Sequence, residues 1–173
     1  MPYSYQGPTR DDKQSDRTYS QSTEANLSTD TATVANLISR KGNQVFSIRP
    51  EDTLSTAVEV LRDRRVGALL VTDMKGALVG ILSERDIVRK LADEPGQTLP
   101  HRVDEVMTSK VETCAPTDTL VSVLRRMTDG RFRHMPVMEN DGLVGMVTIG
   151  DVVHFRLAEV EHEALQLKQL IVG

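Results

Sequence analysis

Apolar residues along this chain keep two rhythms, and the places where the rhythm changes divide it into parts. The first part has no rhythm. Residues 1–31 are rich in Ser, Thr, Gln and Asp with almost no aliphatic side chains. Such a stretch buries too little apolar area to offset its ordering entropy, so it is expected to be a disordered tail. Within it, Tyr3, Tyr5 and Tyr19 are the groups able to dock elsewhere. From Thr33 the pattern turns periodic. Val34, Leu37 and Ile38 make one inward helical turn, and Val45-Phe46-Ser47-Ile48 reads as a short strand closed by Pro50. Asp52 or Thr53 can cap a helix whose inward face is Leu54, Ala57, Val58 and Leu61, with Gly67 ending it. Ala68–Thr72 and Ala77–Leu82 read as strands around the turn Asp73-Met74-Lys75-Gly76. Ser83 then caps a helix with Ile87, Val88 and Leu91 inward.

A linker over 93–102, with Pro95-Gly96 and Pro100 as helix breakers, precedes a second run of the same programme. Val103, Val106 and Met107 repeat the opening turn, and Val111–Ala115 repeats the first strand, closed by Pro116. Leu120, Val123, Leu124 and Met127 repeat the inward helix face. Two strands flank the turn Asn140-Asp141-Gly142, and a helix starts at Thr148. Pro50/Pro116, Asp52/Asp118, Thr53/Thr119, Leu54/Leu120 and Gly76/Gly142 share one offset, about 66 residues. After a one-residue gap, Gly80/Gly145, Ser83/Thr148 and Asp86/Asp151 follow. A unit of this length is too long for a solenoid repeat and too short for a core of its own. The fold expected is α/β: two β-α-β-β-α units over 32–92 and 103–156, packed across their sheets. A C-terminal helix over 157–173 follows, and Leu157, Val160, Ala164, Leu167 and Ile171 form a coiled-coil-like seam along it. That stripe needs a partner, either the domain itself or a second chain.

Composition narrows the function. With 3% aromatics and no Trp, the core must be mostly Val, Leu, Ile, Met and Ala. A net charge of -4 with interspersed signs suggests neither a nucleic-acid nor an anionic-membrane surface. No apolar run approaches the roughly 20 residues of a membrane span. One cysteine, Cys114, rules out an internal disulfide framework, and no secretory segment is evident, so a cytoplasmic protein is expected. Cys114 itself reads as a small core residue rather than a reactive thiol. There is no P-loop and no Gly-x-Gly-x-x-Gly fingerprint. The four histidines have no metal-like spacing, and no nucleophile has an evident base, so no catalytic residue and no metal are expected.

The chemistry that remains lies at the two helix starts. Thr148 and Asp151 set a hydroxyl and a carboxylate one turn apart, suited to a phosphate at the free N–H groups and to ribose hydroxyls. The same pattern is a capping box, and the sequence allows either. Its presence in both repeats, as Ser83 and Asp86 in the first, favours ligand contact. Gly145 permits close backbone approach in the strand before. Arg131, Arg133 and His134 stand just upstream, and guanidinium groups bind phosphate bidentately. Arg85 lies within the first helix start, where it can reach a phosphate or form a salt bridge. Gly67 and Ala68 hold the places of Arg133 and His134, so the first repeat has no cations there and the two clefts should differ in ligand or affinity.

The paired segments Gly80-Ile81-Leu82-Ser83-Glu84-Arg85-Asp86 and Gly145-Met146-Val147-Thr148-Ile149-Gly150-Asp151 resemble those of the CBS domain family. The run Gly130-Arg131-Phe132-Arg133-His134-Met135-Pro136-Val137 is similar to that of small stand-alone tandem CBS proteins of bacteria. The resemblance implies a pseudo-twofold CBS pair, dimerised into a disc to which the C-terminal helix contributes. It implies clefts that hold an adenosyl nucleotide such as AMP, ADP, ATP, NAD(H) or S-adenosylmethionine, and no metal. Carried onto this sequence, it adds Pro136, Lys110, Val111 and Val45 as ligand contacts, with the two valines beside the base. The expected role is a non-catalytic sensor of energy or redox state that reports to an unidentified protein. The rival is a structural dimerisation module whose clefts are vestigial.

Overall fold

The computed structural model describes residues 31–173, and most of the expected tail lies outside the described residues. The chain forms α1 (Val34–Lys41), β1 (Ser47–Ile48), α2 (Leu54–Arg64), β2 (Ala68–Thr72), β3 (Leu78–Ser83) and α3 (Glu84–Asp93). After the linker come α4 (Val103–Val106), α5 (Leu120–Gly130), β4 (His134–Glu139), β5 (Gly142–Thr148) and α6 (Ile149–Val172). Local chemistry repeats with the sequence. The Thr53 hydroxyl accepts from the Thr56 N–H to start α2, and the Thr119 hydroxyl accepts from the Ser122 N–H to start α5. Both helices end on an arginine in the left-handed region, Arg65 (φ 54°) and Arg131 (φ 55°). Arg65 ends α2 two residues before Gly67, the residue expected to do so. In the β4–β5 hairpin, Asn140 and Asp141 both take positive φ, the twist-matched two-residue turn.

β1, β2 and β3 form one sheet, with β1 parallel and β3 antiparallel to β2. β4 and β5 form the other. The expected strand over 111–115 is absent: only Cys114 bridges to Val137, and its N–H donates to the Pro136 carbonyl at 3.0 Å. The expected strand over 45–48 shrinks to Ser47–Ile48.

The opening helices are exchanged. Val34 and Leu37 of α1 lie in the core of the second repeat, with Leu120, Met127, Met135 and Val147. Val103 of α4 lies in the core of the first, with Leu54, Leu61, Leu69 and Leu82. The exchange is symmetric in its hydrogen bonds. The Val34 N–H donates to the Asp118 carbonyl and the Ala35 N–H to Pro116, each at 2.9 Å. Their counterparts are Val103 to Asp52 at 2.8 Å and Asp104 to Pro50 at 3.0 Å. Returning bonds run from the Leu120 N–H to Ala32 and from the Leu54 N–H to His101. The motif glycines serve this exchange. A Cβ on Gly80 would lie 2.4 Å from Met107 Sδ, and one on Gly145 would lie 3.1 Å from Ile38 Cδ1. Close approach at Gly145 therefore admits α1.

Three inward expectations fail. Val58 is exposed, and so are Val88 and Leu91 on α3, a helix that buries no residue fully. Val88 and Leu91 keep the helical spacing but face outward, because the sheet is already covered by α2 and α4. α6 is anchored by Val152 and Phe155, with the Arg40 guanidinium 4.5 Å from the Phe155 ring centre. Beyond Glu159 every residue of α6 is exposed.

Candidate functional site

β3 ends at Ser83 and α3 begins at Glu84, and the start of that helix lines the space between the repeats. The space is a cleft of about 920 Å³. One wall carries Ser83, Arg85, Asp86 and Arg89; the other carries Lys110, Val111, Arg131, Phe132, Arg133 and His134. The walls come from different repeats. Asp86 completes a capping box: its Oδ2 accepts from the Ser83 N–H at 2.8 Å and the Ser83 hydroxyl at 2.7 Å. Among the described residues both bonds to its carboxylate fall on Oδ2, and Oδ1 has no protein partner. Arg85 spans the cleft to donate to the Arg131 carbonyl at 2.7 Å. Arg126 is committed to Glu112 at 2.9 Å and Asp118 at 3.4 Å. Lys110, Arg89, Arg131 and Arg133 make no ion pair among the described residues. The cleft thus has apolar surface at Ile81, Val111 and Phe132, four carboxylates (Glu84, Asp86, Glu112 and Asp129), and, across from Asp86, the cations Lys110, Arg131 and Arg133 without an ion pair among the described residues.

The equivalent helix start of the second repeat is arranged differently. Thr148 caps α6 and its N–H donates to Asp151 Oδ2 at 2.9 Å. The Lys41 ammonium, from the last turn of the exchanged α1, pairs with the same Oδ2 and donates to the Met146 carbonyl at 2.8 Å. In the first repeat the matching carbonyl, that of Ile81, is met instead by the Thr108 N–H at 2.9 Å. Burial pushes the Asp151 carboxyl up, but the Lys41 ammonium and the Thr148 N–H and hydroxyl outweigh it and hold it below the ordinary value.

The structure therefore regroups the residues singled out by sequence. Ser83, Arg85, Asp86, Lys110, Val111, Arg131, Arg133 and His134 share one cleft. The first helix start does have cations: Arg85 and Arg89 on its own helix, and Lys110, Arg131 and Arg133 from the second repeat. Thr148 and Asp151 do not line that cleft. Pro136 is buried in β4, its carbonyl accepting from the Cys114 N–H. Val45 lines a separate hollow of about 480 Å³ with Phe46, Ser47, Val60, Asp63 and Arg64. Sequence reasoning missed Lys41, Arg89 and Arg126. Their helical spacing alone reads as solvated surface, and in Lys41's case the exchange of α1 decides what it faces.

His134 stands between the two helix starts. It lines the first cleft, pairs with Thr148 across β4–β5, and would meet a Cβ placed on Gly67 at 3.4 Å. Burial lowers its pKa, while Glu84 and Asp151 oppose this from either side. Cys114 is buried, and desolvation pushes its thiol up to about 11, as befits a small core residue. Among the described residues, no group of three or more His, Cys, Asp or Glu is placed to hold a metal ion, and no helix is long and apolar enough to cross a membrane.

The CBS domain family model matches residues 34–93 and 103–158. A CBS domain-containing protein of Arabidopsis thaliana, the mitochondrial CBSX3, is 36% identical over 127 residues, 71% of this chain and 62% of that protein. A Thermofilum pendens protein from a ribosomal RNA operon is 36% identical over 102 residues, 59% of this chain and 33% of its own length. The chain thus spans less than two thirds of these curated relatives. Among solved structures, the CBS-domain containing protein ATU1752 of Agrobacterium tumefaciens is 38% identical with a TM-score of 0.71, covering 73% of this chain and 94% of its own. The CBS domain pair of protein MJ0100, in complex with 5′-methylthioadenosine and S-adenosyl-L-methionine, shares the fold at 22% identity and a TM-score of 0.63, covering 75% and 98%.

Proposed function

This chain belongs to the CBS domain family, and we propose that it is a non-catalytic regulatory module that binds an adenosyl nucleotide between its repeats. The observation that carries this reading is the cleft walled by Asp86 on one side and by Lys110, Arg131 and Arg133 on the other. Its volume of about 920 Å³ is in the range of small-molecule sites. Asp86 Oδ1 takes a ribose hydroxyl, the cations take phosphate, and Ile81, Val111 and Phe132 flank the base. The adenosyl part of the ligand is supported by the MJ0100 pair, whose two ligands both carry it. The phosphate part is supported by the uncommitted cations. AMP, ADP, ATP and NAD(H) satisfy both, which makes the module a sensor of energy or redox state, with protein cations doing what a metal would otherwise do. Because the cleft lies between repeats, occupancy favours one packing of the pair over another, and a downstream protein reads the difference.

We also read the chain as a homodimer. Val88 and Leu91 on α3, and Val153 and Leu157 on α6, are more than half exposed, and large apolar side chains left exposed on two helices call for a cover.

The test is a thermal-shift panel of AMP, ADP, ATP, NAD⁺, NADH and S-adenosylmethionine on wild type, Asp86→Asn and Arg133→Ala. A ligand at a hundred times its Kd stabilises the fold by about 2.7 kcal/mol. The shift should shrink for every ligand in Asp86→Asn and only for phosphate-bearing ones in Arg133→Ala. No shift with any ligand would leave the chain a structural dimerisation module.

A further inference from the structure

α6 continues past its last buried residue, Phe155, carrying a stripe that nothing in the described chain covers. Val153, Leu157, Val160, Ala164, Leu167 and Ile171 recur at spacings of four and three, and the five larger ones are 53–83% exposed. A repeat of 3.5 residues stays on one face only when two helices wrap around each other. We propose that the seam is covered by the same seam of a second copy, parallel and in register. This rests on the dimer reading above and adds the orientation.

The charges choose between orientations. Leu157, Ala164 and Ile171 take the a positions and Val153, Val160 and Leu167 the d positions, which makes Arg156 and Glu163 g and Glu161 and Lys168 e. In a parallel pair each g residue faces the e residue five further on in the other helix. Arg156, which already pairs with Glu159 of its own helix at 3.0 Å, then also meets Glu161 of the second copy, and Glu163 meets Lys168 of the second copy; each of these contacts is attractive. An antiparallel pair overlapping the whole seam sets Glu161 against Glu161 and Glu163 against Glu163. The parallel pair runs its twofold axis along α6, so second repeats lie side by side and the two chains meet head to head.

The experiment uses the full chain with one added thiol at a time, Leu157→Cys, Ala164→Cys or Ile171→Cys; Cys114 is buried and does not compete. Each variant is treated with diamide and run on a non-reducing gel, with sedimentation of the untreated protein alongside. Disulfide-linked dimers from all three variants are the expected result. Linking at Ala164→Cys alone, or none from a chain that sediments as a dimer, overturns the parallel coil and leaves the dimer reading standing. A monomer in sedimentation overturns both. Charge reversal supplies an independent arm: Glu163→Lys should weaken the dimer several-fold, roughly the effect of setting like charges against each other. Adding Lys168→Glu should restore it. Failure of the restoration counts against the parallel register.

Discussion

The two helix starts that face the repeat interface have the same local design and different surroundings. Ser83 and Thr148 cap their helices identically, and Asp86 and Asp151 close the same capping boxes. Across from Asp86 stand cations with no ion pair, whereas Asp151 already holds the Lys41 ammonium. The difference arises where the exchanged opening helices end. α4 is followed by Met107 and Thr108, which meet β3 with a methionine side chain and a backbone bridge. α1 ends in Lys41, which meets β5 with a charge. A duplicated motif thus gives one helix start that faces unpaired cations across a cleft and one that holds a cation of its own chain.

The substitution expected to break the comparison most is Asp86→Asn, which keeps an acceptor for the capping box but removes the charge. It should weaken nucleotide binding about ten- to a hundred-fold, the worth of a hydrogen bond to a charged group, while Asp151→Asn changes it far less. Titration calorimetry of both variants decides this, and equal losses would mean that the clefts are equivalent.

Next are the packing glycines. Gly80→Ala sets a Cβ against Met107 at Sδ, Cγ and Cε together, and Gly145→Ala meets chiefly the tip of Ile38. The first should cost about 1–3 kcal/mol. The second should cost well under half as much, because the Ile38 tip can move by a few tenths of an ångström. Paired thermal melts check the order, and a reversal would show that Met107 repacks freely.

Lys41→Met sharpens the contrast from the other side. It should let the Asp151 carboxyl titrate nearer its ordinary value, observable by carbon-13 NMR, and make the second helix start resemble the first.

The smallest effects belong to the histidines and have opposite signs. His101 Nε2 lies 2.6 Å from Glu94 and its Nδ1 3.0 Å from Glu105, and these hydrogen bonds raise its pKa. A raised value contributes stability that is whole below the unfolded pKa near 6.5 and is lost as pH rises through the folded one. Burial lowers the pKa of His134, so its contribution is lost as pH falls below the same unfolded value. Melting curves from pH 5 to 9 should lose their alkaline slope in His101→Gln and their acid slope in His134→Gln. Unchanged slopes would assign the pH dependence elsewhere.

Sequence alone determined what depends on neighbours three or four residues apart. The capping hydroxyls at Thr53, Ser83, Thr119 and Thr148 and the β4–β5 hairpin were legible for that reason, as was the inward face of α5. The repeat was legible too, and with it the family. Tertiary structure decided which repeat each opening helix covers, because a helical turn such as Val34, Leu37 and Ile38 specifies a face and not a partner. From that exchange follow the closeness of Gly80 to Met107 and of Gly145 to Ile38, the outward turn of Val88 and Leu91, and the pairing of Lys41 with Asp151. It also decided that the cations of one repeat face the carboxylate of the other: side chains far apart in sequence are brought together only when the cores that carry them pack.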